Sequence, residues 1–122
     1  MTSRQLAERC ARLLFEKKAE DIQVLDLRKL SAVTDFFVVA SATSSPHVRA
    51  LGEHVEDTLR RAGHRPWHTE GYPAERWVLL DYVNVVVHIF HPQTREFYLL
   101  ERLWGDAEKV KVDYHVPERS GT

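Results

Sequence analysis

Hydrophobic residues are concentrated in one stretch of the chain, residues 77–90, which reads WVLLDYVNVVVHIF. β-branched and aromatic residues dominate this stretch, and the polar interruption from Asp81 to Asn84 is typical of a tight turn between two strands. The pattern predicts a hairpin of two buried strands at the heart of a β-sheet. A carboxylate inside so apolar a segment costs free energy unless it is paired or reaches water, so the surroundings of Asp81 are informative.

Two amphipathic helices are predicted from apolar residues spaced three and four positions apart. The first covers residues 3–18, and its stripe consists of Leu6, Cys10, Leu13 and Leu14. The second has Ser45 as its N-cap, Pro46 as its first helical residue and Gly63 as its stop signal. Its stripe consists of Val48, Leu51, Val55 and Leu59. Residues 92–104 predict a third helix or helical turn packed on the sheet.

Three further segments have the composition of strands. Residues 22–27 alternate apolar and polar for part of their length, and residues 66–70 are typical of a short edge strand, where proline is tolerated. Residues 35–41 are apolar on consecutive positions, which favours a strand covered on both faces over a short helical segment. The element order predicts an α/β domain with a mixed sheet of about five strands and about three helices.

Composition places the chain among ordinary globular proteins of one domain. It has 122 residues, of which 43% are apolar and 29% charged, and its formal net charge is -1. This balance does not favour binding driven by many phosphate contacts. The single cysteine, Cys10, forms no internal disulfide and is predicted to be a core residue. We find neither a signal peptide nor a membrane-spanning stretch, and a cytoplasmic protein is expected.

The polar end of the chain has little to bury. The domain is therefore predicted to span residues 1–106, and residues 107–122 are predicted to form a flexible tail.

Two residue clusters invite a ligand but favour a structural role. The histidine pairs 64/68 and 88/91 have metal-like spacing, but Gly63 and Pro66 interrupt any helix that would align the first pair. The hydroxyl-rich loop 41–45 precedes a helix N-terminus, where anions bind, but it lacks the glycines of a phosphate loop. A capped helix start is the simpler interpretation, and no metal or cofactor is expected.

Three carboxylates lie at or beside predicted strand ends, namely Asp26, Asp35 and Asp81. Two of them on neighbouring strands would suit a magnesium ion for phosphoryl transfer, although turn and cap roles fit the same spacing. A small magnesium-dependent nucleotidyl- or phosphotransferase using Asp35 and Asp81 therefore remains an alternative function. No nucleophile and base of a catalytic triad are specified, and the favoured interpretation is a protein that is not an enzyme.

The alternation of the first central strand divides its residues between two faces. Trp77, Leu79 and Asp81 form one set, and Val78, Leu80 and Tyr82 form the other. Three helices offer limited material to cover both faces of a five-stranded sheet, so one face is expected to keep an aromatic patch, which marks a partner site. The competing interpretation is that these aromatic residues are all core.

Several segments, in order along the chain, resemble the ribosomal silencing factor family, also called Iojap-like proteins. They are VLDL at 24–27, TDFFVVAS at 34–41, SSPHVR at 44–49, EG at 70–71, WVLLDY at 77–82, VVVHIF at 85–90 and REFYLLERLW at 95–104. The resemblance covers most of the chain, from about residue 6 to about residue 106.

The resemblance implies a translational repressor with a nucleotidyltransferase-like sheet that lacks catalytic carboxylates. It implies binding to the large ribosomal subunit through its protein number fourteen, so that the small subunit is blocked from joining, and a tendency to homodimerise. Nucleic acid and membrane are not the expected targets. The predicted partner contacts are Trp77 and Asp81, followed by Tyr82, Arg76 and Glu70.

The chain departs from the family pattern at two places. Val83 and Asn84 follow Tyr82 where Gly-Asp is usual, which predicts a different turn geometry. Ala42 and Pro46 stand where a glycine and a basic residue are common, which weakens the case for anion binding by the serine loop.

Overall fold

The computed structural model describes residues 1–71, 76–91 and 105–115, which contain two helices and six strands. In chain order these are α1 (Ser3–Glu16), β1 (Glu20–Asp26), β2 (Phe36–Ser41), α2 (Ser45–Arg61), β3 (His68–Glu70), β4 (Trp77–Asp81), β5 (Val85–Phe90) and β6 (Glu108–Val110). The predicted third helix over residues 92–104 lies outside the described residues.

Helix α1 begins at a reciprocal cap. The Thr2 hydroxyl accepts a hydrogen bond from the Gln5 amide at 3.1 Å, and the Gln5 side chain accepts one from the Thr2 amide at 2.8 Å. The predicted apolar stripe is buried, and Cys10 within it is completely enclosed. Burial disfavours the thiolate and raises the pKa of Cys10 to about 12, so the prediction of a core residue is confirmed.

Helix α2 starts one residue earlier than predicted. Ser44, not Ser45, is the N-cap, because its extended backbone lets the hydroxyl accept from the His47 amide at 3.2 Å. Pro46 lies in the first turn, and Gly63 follows the helix with a φ of +91°, a conformation that suits glycine. The predicted stripe of α2 is buried throughout.

The six strands form one mixed sheet in the order β3-β4-β5-β2-β1-β6. Strands β2 and β5 are parallel, and every other neighbouring pair is antiparallel. Helix α1 packs on β1, β2 and β5, and α2 packs on β4 and β5. The predicted α/β fold with a mixed sheet is confirmed, with one strand more than expected.

The sheet has apolar side chains on both faces. Val78, Leu80, Val87 and Ile89 belong to the core beneath the helices. A second, smaller cluster contains Leu25, Leu27, Val39 and Phe90. Strand β5 is buried at all six positions, as predicted for the centre of the sheet.

The additional strand corrects the prediction for the end of the chain. Glu108–Val110 pairs with Val24–Asp26 of β1, and Val110, Val112 and Tyr114 pack against the core. Tyr114 also stacks on Phe15 with ring centroids 4.8 Å apart. The reason is a short alternation of apolar and charged residues from 109 to 114, in which Lys109, Lys111 and Asp113 are exposed. Residues 116–122 lie outside the described residues.

The hairpin between β4 and β5 closes through an unusual turn at Val83. The Asn84 amide donates to the Tyr82 carbonyl at 2.9 Å, and Val83 between them has a φ of +75°. This is a γ-turn of the strained, positive-φ kind, held by a second hydrogen bond in which the Asp81 carboxylate accepts from the Val83 amide at 2.8 Å. A β-branched residue at positive φ is strained by its own Cβ.

His88 is the one histidine of β5 and is only 4% exposed. Burial penalises the imidazolium and lowers the pKa of His88 to about 4. The side chain is therefore neutral at pH 7.

Replacing Val83 with glycine should relieve the strained turn and raise the free energy of unfolding by about 1 kcal/mol. Urea denaturation measures the change. Val33 is the matched control, because it is exposed and lacks a positive φ. Val33→Gly should not stabilise the protein, and equal effects of the two substitutions would contradict the strain at Val83.

The free energy of unfolding should decrease as the pH falls between the unfolded-state and folded-state pKa values of His88. The unfolded chain binds a proton near pH 6.5, whereas the folded chain binds it only near pH 4, so protons favour unfolding between these values. The free energy of unfolding should decrease by about 2 kcal/mol between pH 7 and pH 5 from this group alone. Urea denaturation of the wild type and His88→Asn at both values measures it, and an identical slope for the two proteins would contradict the assignment.

Candidate functional site

The candidate surface lies on the side of β3, β4 and β5 opposite the helices. Glu70 pairs with Leu79, Leu79 pairs with His88, and Trp77 pairs with Phe90. Residues paired across strands point to the same side of a sheet, and the alternate residues of β4 are in the helix-side core. We call the surface formed by Glu70, Trp77, Leu79, His88 and Phe90 the distal face.

Trp77 is partly exposed on this face. The residue is 36% exposed, and its ring lies within 12° of the plane of His88 and within 7° of the plane of Phe90. Both centroid separations are 5.8 Å. Trp77 is therefore held by its neighbours and still presents part of its ring to solvent, as a residue that anchors a partner must.

His88 lies beside Trp77 and is enclosed by aromatic rings. Its Nδ1 accepts a hydrogen bond from the indole Nε1–H at 3.3 Å, and Phe37 packs edge-on at 4.7 Å between centroids. Because the neutral ring has one donor and one acceptor, the proton must lie on Nε2. That atom is buried and has no hydrogen-bond partner.

Gly71 fixes the backbone beneath Trp77. Its φ is +95°, and a Cβ at this position would lie 1.7 Å from the Trp77 carbonyl oxygen. No other residue permits both this conformation and this approach. The Glu70-Gly71 segment thus brings the end of β3 directly against the start of β4.

The other predicted contacts occupy both ends of β4. Arg76 is exposed directly before Trp77, and the Glu70 carboxylate is hydrogen-bonded to Nε2 of His68 at 2.8 Å. Asp81 lies at the far end of the strand, about 13 Å along from Trp77 by strand geometry. Its carboxylate caps the Val83 turn, which explains how this charge is accommodated beside an apolar run.

Tyr82 is not on the distal face. It is 9% exposed and belongs to the core beneath the helices. Burial raises the pKa of its phenol, and the hydroxyl oxygen has no hydrogen-bond partner. The structure therefore places Glu70 and Trp77 on one face, with Arg76 directly before Trp77, puts Asp81 at the other end of β4 and turns Tyr82 to the opposite face.

Two of the three carboxylates considered for magnesium, Asp26 and Asp81, have other contacts. Asp26 binds the Arg28 guanidinium at 2.7 and 3.0 Å, and the hydrogen bond lowers the pKa of that carboxyl. Asp81 caps a turn. Within residues 1–71, 76–91 and 105–115, no three histidine, cysteine or carboxylate side chains are grouped to hold a metal ion.

The serine loop is engaged by the protein itself. The Thr43 amide donates to Nδ1 of His47 at 2.9 Å, and Nε2 of the same ring donates to the Lys17 carbonyl at 2.7 Å. Ser44 caps the helix. These contacts fit a capped helix start, as the simpler interpretation proposed.

Two residues that support Trp77 were not recognised as such from sequence. His88 was considered only as a metal ligand, although a lone imidazole in an apolar strand two residues from a phenylalanine signals a specific polar contact. Gly71 was noted only as part of the segment EG at 70–71. Its spacing from Trp77 gave no sign of the close approach, which depends on the pairing of β3 with β4.

In the described part of the chain, neither helix is long and apolar enough to cross a membrane.

Comparison with known proteins gives consistent matches in sequence and structure. A family model described as "Ribosomal silencing factor during starvation" matches residues 1–121. Ribosomal silencing factor RsfS of Bacillus subtilis is 36% identical over 114 residues, which are 93% of this chain and 97% of that protein. Protein Iojap, chloroplastic, of Arabidopsis thaliana is 34% identical over 85% of this chain and 43% of its own length.

A crystal structure of a protein from Chromobacterium violaceum superposes with a TM-score of 0.81 at 32% identity, covering 96% of this chain and 95% of that one. The fold and the sequence thus point to the same relatives. With nearly every residue inside the family match, this chain belongs to the ribosomal silencing factor family.

Proposed function

We propose that this protein represses translation by binding the large ribosomal subunit through its protein number fourteen, so that the small subunit cannot join. Family membership supports a ribosome-associated regulator. The single structural observation that carries the proposal is the partly exposed Trp77 on the distal face, held by His88 and Phe90.

The contact is assigned to the Trp77 end of β4. Large aromatic side chains bring much binding energy when a partner removes them from water, and charged residues at the rim set the register. Trp77 would be the desolvated anchor, with Arg76 and Glu70 as rim charges. Asp81 would contact the partner near the hairpin, and Tyr82 would act indirectly by packing the start of the turn.

In this mechanism, repression requires only that the bound protein fills space that the small subunit would occupy. A body of 14.2 kDa seated where the two subunits meet occludes a bridging contact, and no bond is made or broken. In this proposal the protein is not an enzyme. The transferase alternative used Asp35 and Asp81, and the turn contact of the Asp81 carboxylate offers it no support.

The partner is proposed to be protein rather than ribosomal RNA. The formal net charge of -1 offers little of the counterion release that drives binding to phosphate backbones. We further propose that the free protein forms a homodimer and acts in the cytoplasm, where its target is assembled.

Trp77→Ala should abolish co-sedimentation with isolated large subunits, because it removes the anchor from the centre of the contact. Far-UV circular dichroism should show that the fold persists. Phe15→Ala is the control, since Phe15 is 46% exposed in α1, on the opposite side of the sheet from the proposed contact, and it should bind normally. Trp77→Ala binding within about threefold of wild type, a difference under 1 kcal/mol, would place the interface elsewhere.

Adding the purified protein to dissociated ribosomal subunits should reduce the peak of joined ribosomes in a sucrose gradient. The effect should saturate near one protein per large subunit and should be lost with Trp77→Ala. Joined ribosomes that form normally at saturating protein would contradict the steric mechanism.

A further inference from the structure

Trp77 and His88 are nearly parallel rings joined by a hydrogen bond. The indole Nε1–H reaches Nδ1 of His88 at 3.3 Å while the ring planes differ by 12° and the centroids lie 5.8 Å apart. An indole N–H and an imidazole lone pair both lie in their ring planes, so this bond fixes the direction in which the Nε1 edge of the indole points. The parallel ring of Phe90 restrains the plane of the indole, and the two contacts together hold the side chain in one orientation.

The hydrogen bond explains why position 88 of a buried strand carries an imidazole. The Nε2–H of His88 is enclosed without an acceptor, which is unfavourable, and a phenylalanine would fill similar space without that penalty. What phenylalanine lacks is an acceptor for Trp77. The hydrogen bond accepted at Nδ1 offsets part of the cost of the unsatisfied Nε2–H.

Two more contacts restrict the same side chain. Phe90 lies parallel to the indole at 5.8 Å between centroids, and Gly71 sets the position of the Trp77 backbone. Trp77 is therefore restrained at its ring plane, its ring edge and its main chain. A side chain ordered before binding loses less conformational entropy when the partner arrives.

We propose that His88 is a positioning residue for partner binding: its Nδ1 holds the Trp77 indole in one orientation and uses up the indole N–H. This proposal rests on the proposed function, in which Trp77 is the anchor. It also defines the receiving surface on the ribosomal partner. That surface contacts ring carbons, so it is apolar and offers no hydrogen-bond acceptor to Trp77.

The hydrogen bond is tested in the free protein by its indole N–H signals in a ¹H–¹⁵N spectrum. Trp77→Phe identifies the Trp77 signal by its loss. In His88→Phe that signal should shift and exchange faster with deuterated solvent, because its acceptor is gone. In His88→Asn it should stay close to wild type, since the amide oxygen lies near the former Nδ1. An unchanged signal in His88→Phe would overturn the proposal.

Binding to isolated large subunits tests the consequence. His88→Phe should weaken binding by about three- to tenfold, the effect of freeing one side chain, and His88→Asn should recover most of that loss. Circular dichroism confirms folding of both variants. His88→Phe binding as tightly as wild type would overturn the positioning role.

The acceptor-free surface is tested by placing 3-benzothienylalanine, which has sulfur in place of the indole N–H, at position 77. Its loss of affinity should equal that of His88→Phe, and combining the two changes should add nothing further. Additive losses would mean that the partner uses the N–H and would overturn this part of the proposal.

The outcome for Trp77→Ala distinguishes failure of the proposed contact from failure of the positioning role. If Trp77→Ala still binds, the proposed contact fails. If Trp77→Ala loses binding and His88→Phe does not, the contact stands and only the positioning role of His88 fails.

Discussion

The parallel pairing of β2 with β5 is the constraint on which the rest of the structure depends. It places a strand buried at all six positions in the middle of the sheet, between neighbours from distant parts of the sequence. Parallel neighbours need a long connection, and here that connection contains α2, β3 and β4. Both helices pack on one side of the sheet, and Trp77 and His88 lie on the other.

That arrangement explains how a hydrophobic segment can form the hydrogen-bonded pair of Trp77 and His88 on the distal face. Because β4 follows the alternation of a strand, the same five residues supply helix-side core through Val78 and Leu80 and place the partly exposed Trp77 on the opposite side. The imidazole of His88 is neutral because its burial lowers its pKa, and a neutral ring can accept the indole hydrogen bond. The burial of His88 in β5 thus also makes possible the hydrogen bond that orders Trp77 at the surface.

The sequence predicted most of the fold because its strongest signals are local. The stripes of the two helices, the apolar hairpin and the alternation of Trp77 with Val78 depend only on nearby residues. Strand β6 was missed because its short alternation is dominated by charged side chains, and its pairing with β1 joins positions about eighty residues apart. Ser44 was passed over as a cap because Ser45 beside it carries the same signal.

The candidate surface was predicted less completely, since it depends on pairing across strands. Strand alternation correctly separated Trp77 from Val78 and Tyr82. Tyr82 lies in the core beneath the helices, so it cannot share a surface with Trp77, although both were predicted to be partner contacts. The hydrogen bond from Trp77 to His88 joins residues on neighbouring strands, and only the register decides that they meet. Likewise, the clash that reserves position 71 for glycine appears only once β3 lies beside β4.

The late strand β6 also shapes how the molecule can be handled. It pairs with the backbone hydrogen-bonding groups of Val24–Asp26 on the outer side of β1, and its exposed Lys109 is the type of residue that discourages further strand addition. A chain shortened before residue 108 would leave those groups of β1 open to another molecule. Such a truncated protein would tend to aggregate through its sheet edge even though its helices and its Trp77 surface were untouched.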